Sequence, residues 1–246
     1  LVFVATDFEG DLTIPSGKSL YGLVPPNEIP NDLVGALEGA NTIIGNVTLE
    51  AGATLNFVNI IGAVSICDNE VAVDDNTNTT IRYCTINAGT SIAISYLDIQ
   101  AGNISIFSNI LNNADTTNAI LSFEGARDGL RGVEATSSTF NLDIIGNEFS
   151  ANKSRAFSGN DKVGAEYVGG SHISISDNTI DDAPEWGASI TFRALNEKST
   201  LTVERNDILN GNMPELGLSG SDDSELGFAD SSSYLAGLTT NANSLV

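Results

Sequence analysis

One eight-residue phrase occurs five times in the chain, and it constrains the fold more than any other feature. The phrase alternates apolar and polar residues, reaches an asparagine at place six, and returns to an apolar residue at place eight. Such alternation is typical of a strand with one buried face. The copies are VSICDNEV from Val64, ISIFSNIL from Ile104, LDIIGNEF from Leu142, ISISDNTI from Ile173 and LTVERNDI from Leu201.

The spacing of the copies predicts a solenoid. They begin 40, 38, 31 and 28 residues apart, and IRYC from Ile81 divides the first interval, so one circuit takes 17 to 38 residues. A short strand cannot bury its apolar face alone, whereas stacked circuits share one core. A β-sandwich also contains short strands, but it gives no reason for asparagine at a fixed offset. We therefore predict an all-β parallel β-helix in which places one and three of the phrase point inward and form two columns, with Val64 beside Ile104 and Ile66 beside Ile106.

The asparagines at place six predict a ladder along the solenoid. A turn between strands often needs one residue with positive φ, which asparagine tolerates better than most residues. Stacked strands lie about 4.8 Å apart, so successive amides can hydrogen-bond to one another. The expected members of this ladder are Asn69, Asn109, Asn147, Asn178 and Asn206.

The phrase resembles the repeat of the right-handed parallel β-helix proteins of the pectate-lyase-like superfamily. GDLTIPSGKSLYG, from Gly10 to Gly22, is similar to the first coil of many members. The resemblance covers about Leu12 to Asn210 and implies a right-handed coil. A left-handed β-helix is the alternative, because IGNVTLEAGATLNFVNI has some six-residue rhythm. The fold carries lyases, hydrolases, epimerases, esterases, tailspikes and adhesins, so the resemblance implies architecture rather than one activity.

The chain divides into three predicted segments. Residues 1–40 form an N-terminal cap and first coil, with NDLVGALEGA from Asn31 as the helix-like window. Residues 41–210 form the coils. Residues 211–246 are acidic and rich in serine and glycine, and they are expected to form a C-terminal cap or tail.

Charge restricts the partners. Acidic residues outnumber basic ones by 32 to 10, which gives a net charge of −22. This balance disfavours nucleic acid and anionic membranes, and it suits cations or neutral glycans. No apolar run approaches the roughly 20 residues of a membrane span, so we expect no membrane insertion. The opening LVFV is too short for a signal-peptide core. We expect a mature or trimmed product that is secreted or displayed on a microbial surface.

Two carboxylates follow the asparagine in the phrase. Stacking the copies aligns Glu148, Thr179 and Asp207, which places the two acids two coils, or roughly 10 Å, apart. An inverting glycosidase separates its acid and base by about 6.5–9.5 Å. Glu148 and Asp207 are therefore candidate catalytic residues, and the alternative is a pair of solvated turn residues.

A second candidate lies in NTIDDAPEWG. It holds Asp181, Asp182, Glu185 and Trp186, which is the one tryptophan of the chain. An indole ring can stack on a sugar while the carboxylates bind hydroxyl groups or Ca²⁺. The alternative is a polar loop in which the tryptophan shields an edge of the core.

A third candidate is FEGARDGLRGVEATSS, which holds Arg127 and Arg131. A loop that overhangs a groove would suit an acidic sugar, with Arg131 as a ligand-binding residue and Arg127 as a base. Arginine is a poor base because its pKa exceeds 12. Pairing with the nearby acids Asp128 and Glu134 is the simpler role.

Two further pairs of residues are candidates for bonding. Cys67 and Cys84 occur in comparable phrases, so they are expected to stack on neighbouring coils as a disulfide or as two buried thiols. Asp74 and Asp75 form a turn that is a weak candidate for Ca²⁺. We expect no other cofactor.

Sequence motifs of the resembling enzymes are absent. The chain has no Gly-His-Gly or Asp-Pro-His-Glu motif, and its single histidine, His172, lies in GSHIS. We therefore predict non-catalytic recognition of a polysaccharide or host glycan, as in an adhesin-like or effector-like protein. The alternatives are a polysaccharide lyase or glycoside hydrolase, and a structural fragment of a fibre, tailspike or autotransported protein. The sequence leaves the oligomeric state open.

Overall fold

The computed structural model describes residues 2–4, 7–22, 42–67, 76–89, 91, 93–99, 102–113, 119–125, 140–150, 156–160, 171–181, 190–193, 200–209, 216–219 and 238–240. Every regular element in these ranges is a β-strand. The helix-like window from Asn31 lies outside the described residues. Within the same ranges, no helix is long and apolar enough to cross a membrane.

The strands form three long sheets, and all neighbouring strands run parallel. The first sheet contains β1 (Val2–Val4), β4 (Ser19–Gly22), β7 (Thr54–Asn56), β10 (Asn78–Arg82), β13 (Gly102–Phe107), β16 (Phe140–Ile145), β19 (Ser171–Ser176), β22 (Thr200–Glu204) and β25 (Leu238–Thr240). The second sheet contains β2 (Phe8–Glu9), β5 (Thr42–Ile44), β8 (Asn59–Ile61), β11 (Thr85–Asn87), β14 (Ile110–Asn112), β17 (Glu148–Ser150), β20 (Thr179–Asp181) and β23 (Asp207–Leu209). The third sheet contains β3 (Leu12–Ile14), β6 (Val47–Glu50), β9 (Val64–Cys67), β12 (Ile94–Ile99), β15 (Leu121–Gly125), β18 (Phe157–Asn160), β21 (Ile190–Arg193) and β24 (Leu216–Ser219).

The order of the strands is consistent with a β-helix solenoid. Successive strands visit the first, second and third sheet in turn, so each strand pairs with the strands three before and three after it. Strands also lie before residue 41 and after residue 210, in the same sheets as the strands between them.

Alternation along each strand separates a core face from an outer face. In β13, Ile104 and Ile106 are buried while Ser105 between them is partly exposed. Parallel sheets covered on both faces read as continuous apolar runs, whereas these strands alternate, as expected when one face meets solvent. Register pairing stacks one inward column of fully buried aliphatic side chains, which are Ile81, Ile106, Ile144, Ile175 and Val203.

One copy of the phrase belongs to a different sheet from the other four. Val64 pairs with Val47 and Ile94 in the third sheet, so its predicted place beside Ile104 is wrong. All three sheets need the same alternation, and the pattern therefore does not identify the sheet. Ile104 instead pairs with Thr79 in the preceding coil.

The turn from the first to the second sheet has two residues in each of six successive coils, from Phe57 onward. The first residue of each turn has a left-handed backbone, with φ between 53° and 66°. The sequence expectation placed the positive φ on the asparagine, which is the second residue, and this was wrong. The residue before it turns the chain, and the asparagine side chain enters the core. The six turns are 57–58, 83–84, 108–109, 146–147, 177–178 and 205–206.

Candidate functional site

Four asparagines form a continuous hydrogen-bonded ladder inside the two-residue turn between the first and second sheets. Nδ2 of Asn109, Asn147 and Asn178 donates to Oδ1 of the next asparagine over 2.9, 3.1 and 2.8 Å. The backbone N–H groups of the same three residues donate to the same oxygens over 3.0, 2.8 and 3.0 Å. Each Nδ2, including that of Asn206, also donates to the carbonyl oxygen of an isoleucine in the preceding coil, at 2.9 to 3.1 Å.

The ladder is a structural feature rather than a binding site. Asn109, Asn147 and Asn178 are almost completely buried, and their amides bond to neighbouring coils. A ligand outside the solenoid cannot reach these groups. Asn69 lies outside the described residues, and the strand that precedes it belongs to the third sheet.

Cys67 and Cys84 form no disulfide and lie on different sides of the solenoid. Cys67 pairs in register with Glu50 and Leu97 in the third sheet, whereas Cys84 lies in the corner after β10. The expected stacking of Cys67 and Cys84 is therefore wrong, because the two phrases occupy different sheets. Burial raises the pKa of the Cys84 thiol to about 12.

The candidate catalytic carboxylates lie in one column on the outer face of the second sheet. Glu148 pairs with Thr179, and Thr179 pairs with Asp207. Glu148 is partly exposed and Asp207 is exposed. Two strand steps separate them by roughly 10 Å. The structure thus aligns these two acids on an open surface.

The loop candidates lie mostly outside the described residues. Asp181 ends β20 and is partly exposed. In the described ranges, no three histidine, cysteine, aspartate or glutamate side chains come together to hold a metal ion. The candidates that cannot be placed are Asp74, Asp75, Arg127, Arg131, Asp182, Glu185 and Trp186.

The outer face of the first sheet carries a column of short hydrogen-bonding side chains, which we call the outer column. Register pairing aligns its members from β4 to β22, and each is partly or fully exposed. All but one are serine or threonine. The outer column is Ser19, Thr54, Thr80, Ser105, Asp143, Ser174 and Thr202.

A second polar column runs beside it, two residues earlier in each strand. Asn103 donates to Asn78 over 2.9 Å, and Asn141 donates to Asn103 over 2.6 Å. In the next coils, Nδ1 of His172 lies 2.8 Å from the hydroxyl oxygen of Thr200. Partly exposed amides and hydroxyls therefore cover much of this face.

The third sheet has its own hydroxyl column. Its aligned positions hold serine or threonine in seven consecutive strands, and the hydroxyl oxygens of Thr48 and Ser65 lie 3.4 Å apart. Exposure decreases from Thr13, which is exposed, to Ser122, which is buried. The positions are Thr13, Thr48, Ser65, Ser95, Ser122, Ser158 and Thr191.

Asp143 is the one carboxylate of the outer column. Its side chain is exposed and makes no hydrogen bond or ion pair with any part of the chain that the structure describes. Neighbouring groups still remove enough water to raise its pKa above the ordinary value. Asp177, in contrast, accepts two hydrogen bonds of 2.7 and 2.8 Å from Arg205, which lower the pKa of Asp177.

Aromatic residues cluster at the corner of the earlier coils. The rings of Phe57 and Tyr83 stack with centroids 4.9 Å apart, and Phe107 meets Tyr83 edge to face at 5.5 Å. The guanidinium carbon of Arg82 lies 5.9 Å from the Tyr83 centroid and 5.7 Å from the Phe107 centroid. These contacts are within the range of cation–π attraction. Among the described residues, Arg82 has no carboxylate partner.

Sequence reasoning missed Arg82, Phe107 and Asp143. A signal for Asp143 was present, because place two of the phrase holds serine or threonine in the other four copies. The sequence did not indicate the position of Arg82. The alignment of IRYC with the phrase put Ile81 at place one, whereas Ile81 pairs with Ile106, which is at place three.

Comparison of the chain with protein-family models, with curated proteins and with solved structures gave no match.

Proposed function

We propose that the chain is a secreted or surface-displayed module that recognises an extended polysaccharide or host glycan without cutting it. The outer column of the first sheet is the observation that supports this most strongly. Its hydroxyl groups repeat at the strand spacing of about 4.8 Å, and hydroxyls both donate and accept hydrogen bonds. A polymer that lies across the strands would meet the same chemistry at every step.

The low charge of the outer column and of the amide column beside it supports a neutral ligand. Apart from His172, Asp143 is the one ionisable side chain in the outer column and the neighbouring amide column. The whole chain carries a net charge of −22, which repels polyanions at low ionic strength. A neutral glycan avoids that repulsion.

We also propose that the coil is right-handed and that the chain is a pectate-lyase-like β-helix, with terminal caps at residues 1–40 and 211–246. The repeated phrase and the two-residue corner with its asparagine ladder support this reading. An experimental structure tests it directly, and a left-handed coil would contradict it.

A second candidate function is cleavage of a polysaccharide by a lyase or hydrolase mechanism. The alignment of Glu148 and Asp207 through Thr179 favours it, since both acids face outward on one column. In a hydrolase, one acid would protonate the glycosidic oxygen and the other would activate the water that attacks the sugar.

A glycan array, combined with assays for reducing ends and unsaturated uronates, separates these functions. We expect glycan binding without product release. A double change of Glu148→Gln and Asp207→Asn should leave that binding intact. Turnover that collapses in the double variant while binding persists would support the enzyme. A protein that neither binds nor cuts any glycan would instead favour a structural fragment of a fibre, tailspike or autotransported protein.

A further inference from the structure

Three side chains of different chemistry lie on three successive strands of the first sheet. Arg82 of β10 pairs in register with Phe107 of β13, and Phe107 pairs with Ile145 of β16. Asp143 lies two residues before Ile145 and pairs with Ser105. The cation and the carboxylate are therefore two strand steps apart, at about 10 Å or more, with Phe107 on the strand between them.

We infer that Arg82, Phe107 and Asp143 form a binding site for one neutral sugar residue of a longer glycan. This inference rests on the proposed function and specifies where the ligand binds and which chemistry it has. The guanidinium donates hydrogen bonds to sugar oxygens, the carboxylate accepts them from sugar hydroxyls, and the ring packs against the apolar face of the pyranose.

Both charged groups retain their hydrogen-bonding capacity. Within the described ranges neither Arg82 nor Asp143 forms an ion pair, although the chain has 32 acidic residues. Arg205 shows the alternative, because it bonds to both Asp177 and Glu204. Nε of Arg82 is buried and therefore out of reach of a ligand, so the sugar would bind the terminal guanidinium nitrogens.

Phe107 supplies the apolar surface. Its ring is turned 80° from Tyr83 and so does not continue the stack that Tyr83 forms with Phe57. Ile145 extends the apolar surface onto the next coil, where 37% of the residue is exposed. Ser105 and Ser174 flank Asp143 on the adjacent strands and add hydroxyl groups.

The charge of the chain selects among ligands. A second copy of a chain with net charge −22 is repelled, and so is a polyuronate or a nucleic acid. A neutral sugar is not repelled, and it can use both the donor and the acceptor. The site therefore favours a neutral hexose or pentose polymer.

The test uses immobilised neutral hexasaccharides of glucan, mannan, galactan and xylan, together with oligogalacturonate as the anionic probe. We expect the parent to bind at least one neutral probe. Phe107→Ala, Arg82→Gln and Asp143→Asn should each weaken that binding at least tenfold. Glu9→Gln, which removes one negative charge from an exposed residue of β2, and Ile61→Ala, which removes an apolar residue that is 50% exposed, should change binding less than twofold.

The outcomes distinguish the site from the function. Neutral binding that survives Asp143→Asn and Phe107→Ala in folded variants would overturn this site and leave the proposed function standing. A parent that binds none of the probes would overturn this site, and the proposed function falls as well if the glycan array also shows no binding. Preferential binding of oligogalacturonate would contradict the neutral ligand. Asp143→Asn keeps the test decisive if Phe107→Ala unfolds, since Asp143 is exposed.

Discussion

The backbone N–H of Cys84 donates a hydrogen bond of 2.9 Å to Oδ1 of Asn109. Cys84 thereby occupies the corner position that asparagine fills in the next four coils. Its thiol donates to the carbonyl oxygen of Arg82 over 3.2 Å. The asparagine ladder therefore begins at the backbone N–H of Cys84, a residue whose side chain is a buried thiol rather than an amide.

The Cys84 thiol should be chemically inert in the folded protein. With a pKa of about 12, its thiolate fraction at pH 8 is on the order of one in ten thousand, and the side chain is buried. A Cys67→Ala variant should react with an aromatic disulfide reagent only on denaturation, whereas a Cys84→Ala variant should react without it, because Cys67 is partly exposed. Fast native labelling of the Cys67→Ala variant would contradict this assignment.

Removing an inner rung of the ladder should destabilise the fold without affecting recognition. Asn178→Ala leaves the backbone N–H and Nδ2 of Asn147 without their acceptor, and it also removes the donor to the Ile144 carbonyl. We expect a loss of about 1–3 kcal/mol or more in the free energy of unfolding, measured with urea.

Asn87→Ala is the matched control for Asn178→Ala. Asn87 also accepts an amide hydrogen bond, over 2.8 Å from Asn112, but it lies partly exposed on the outside of the second sheet. Water can replace its partner, so its loss should cost less. Equal costs for the two variants would show that burial of the ladder is not what makes it stabilising.

Two glycines with positive φ should respond very differently to alanine. A Cβ on Gly62 would lie 2.1 Å from the carbonyl oxygen of Gly45, whereas a Cβ on Gly89 would meet open space. Gly62→Ala should therefore cost several kcal/mol or prevent folding, while Gly89→Ala should cost roughly 1–2 kcal/mol of backbone strain. Thermal melting of both variants checks this. An unchanged melting temperature for Gly62→Ala would contradict the close stacking of the corner between β8 and β9 on the preceding coil.

The stability of the protein should depend on pH through Asp143 with an unusual sign. Its native pKa is raised, so the folded state holds this proton more tightly than the unfolded chain does. Stability from the protonated form is present below pH 3.8 and is lost as the pH rises through the native value. Asp143→Asn should therefore be more stable than the parent at pH 7, and the difference should shrink toward pH 3.

Asp177→Asn provides the opposite control. Arg205 lowers the pKa of Asp177, so the stability it contributes is present above the unfolded pKa and is lost as the pH falls. The amide variant should be the less stable one at pH 7. Urea unfolding at several pH values measures both variants. A difference between parent and Asp143→Asn that does not change with pH would contradict the raised pKa.

The repeated phrase predicted the parallel strands and the inward columns because every stacked coil must place its apolar residues in the same core. Ile106, Ile144 and Ile175 lie in the core as expected. The pattern did not predict which sheet each copy enters, as Val64 shows, because every sheet shares one alternation of apolar and polar residues.

The repeated phrase also did not predict which residue of the two-residue turn has a positive φ. Asn178 was expected to adopt positive φ, but Asp177 does so, because the amide must turn inward to reach its neighbours. The grouping of Arg82, Phe107 and Asp143 depends on strand register between coils that are 25 and 38 residues long. Unless the strand register is known, the sequence alone does not predict that residues so far apart in the chain lie close together.

The two-residue turn at the first corner has a consequence for how this chain can change. Coil length varies between 25 and 38 residues along the ladder, yet the turn keeps its length in each of the six coils from Phe57 to Asn206. All the extra residues are therefore added at the other two corners. Because this corner keeps a constant length, segments of unequal length can be inserted at the other two corners without disturbing the alignment of the asparagines.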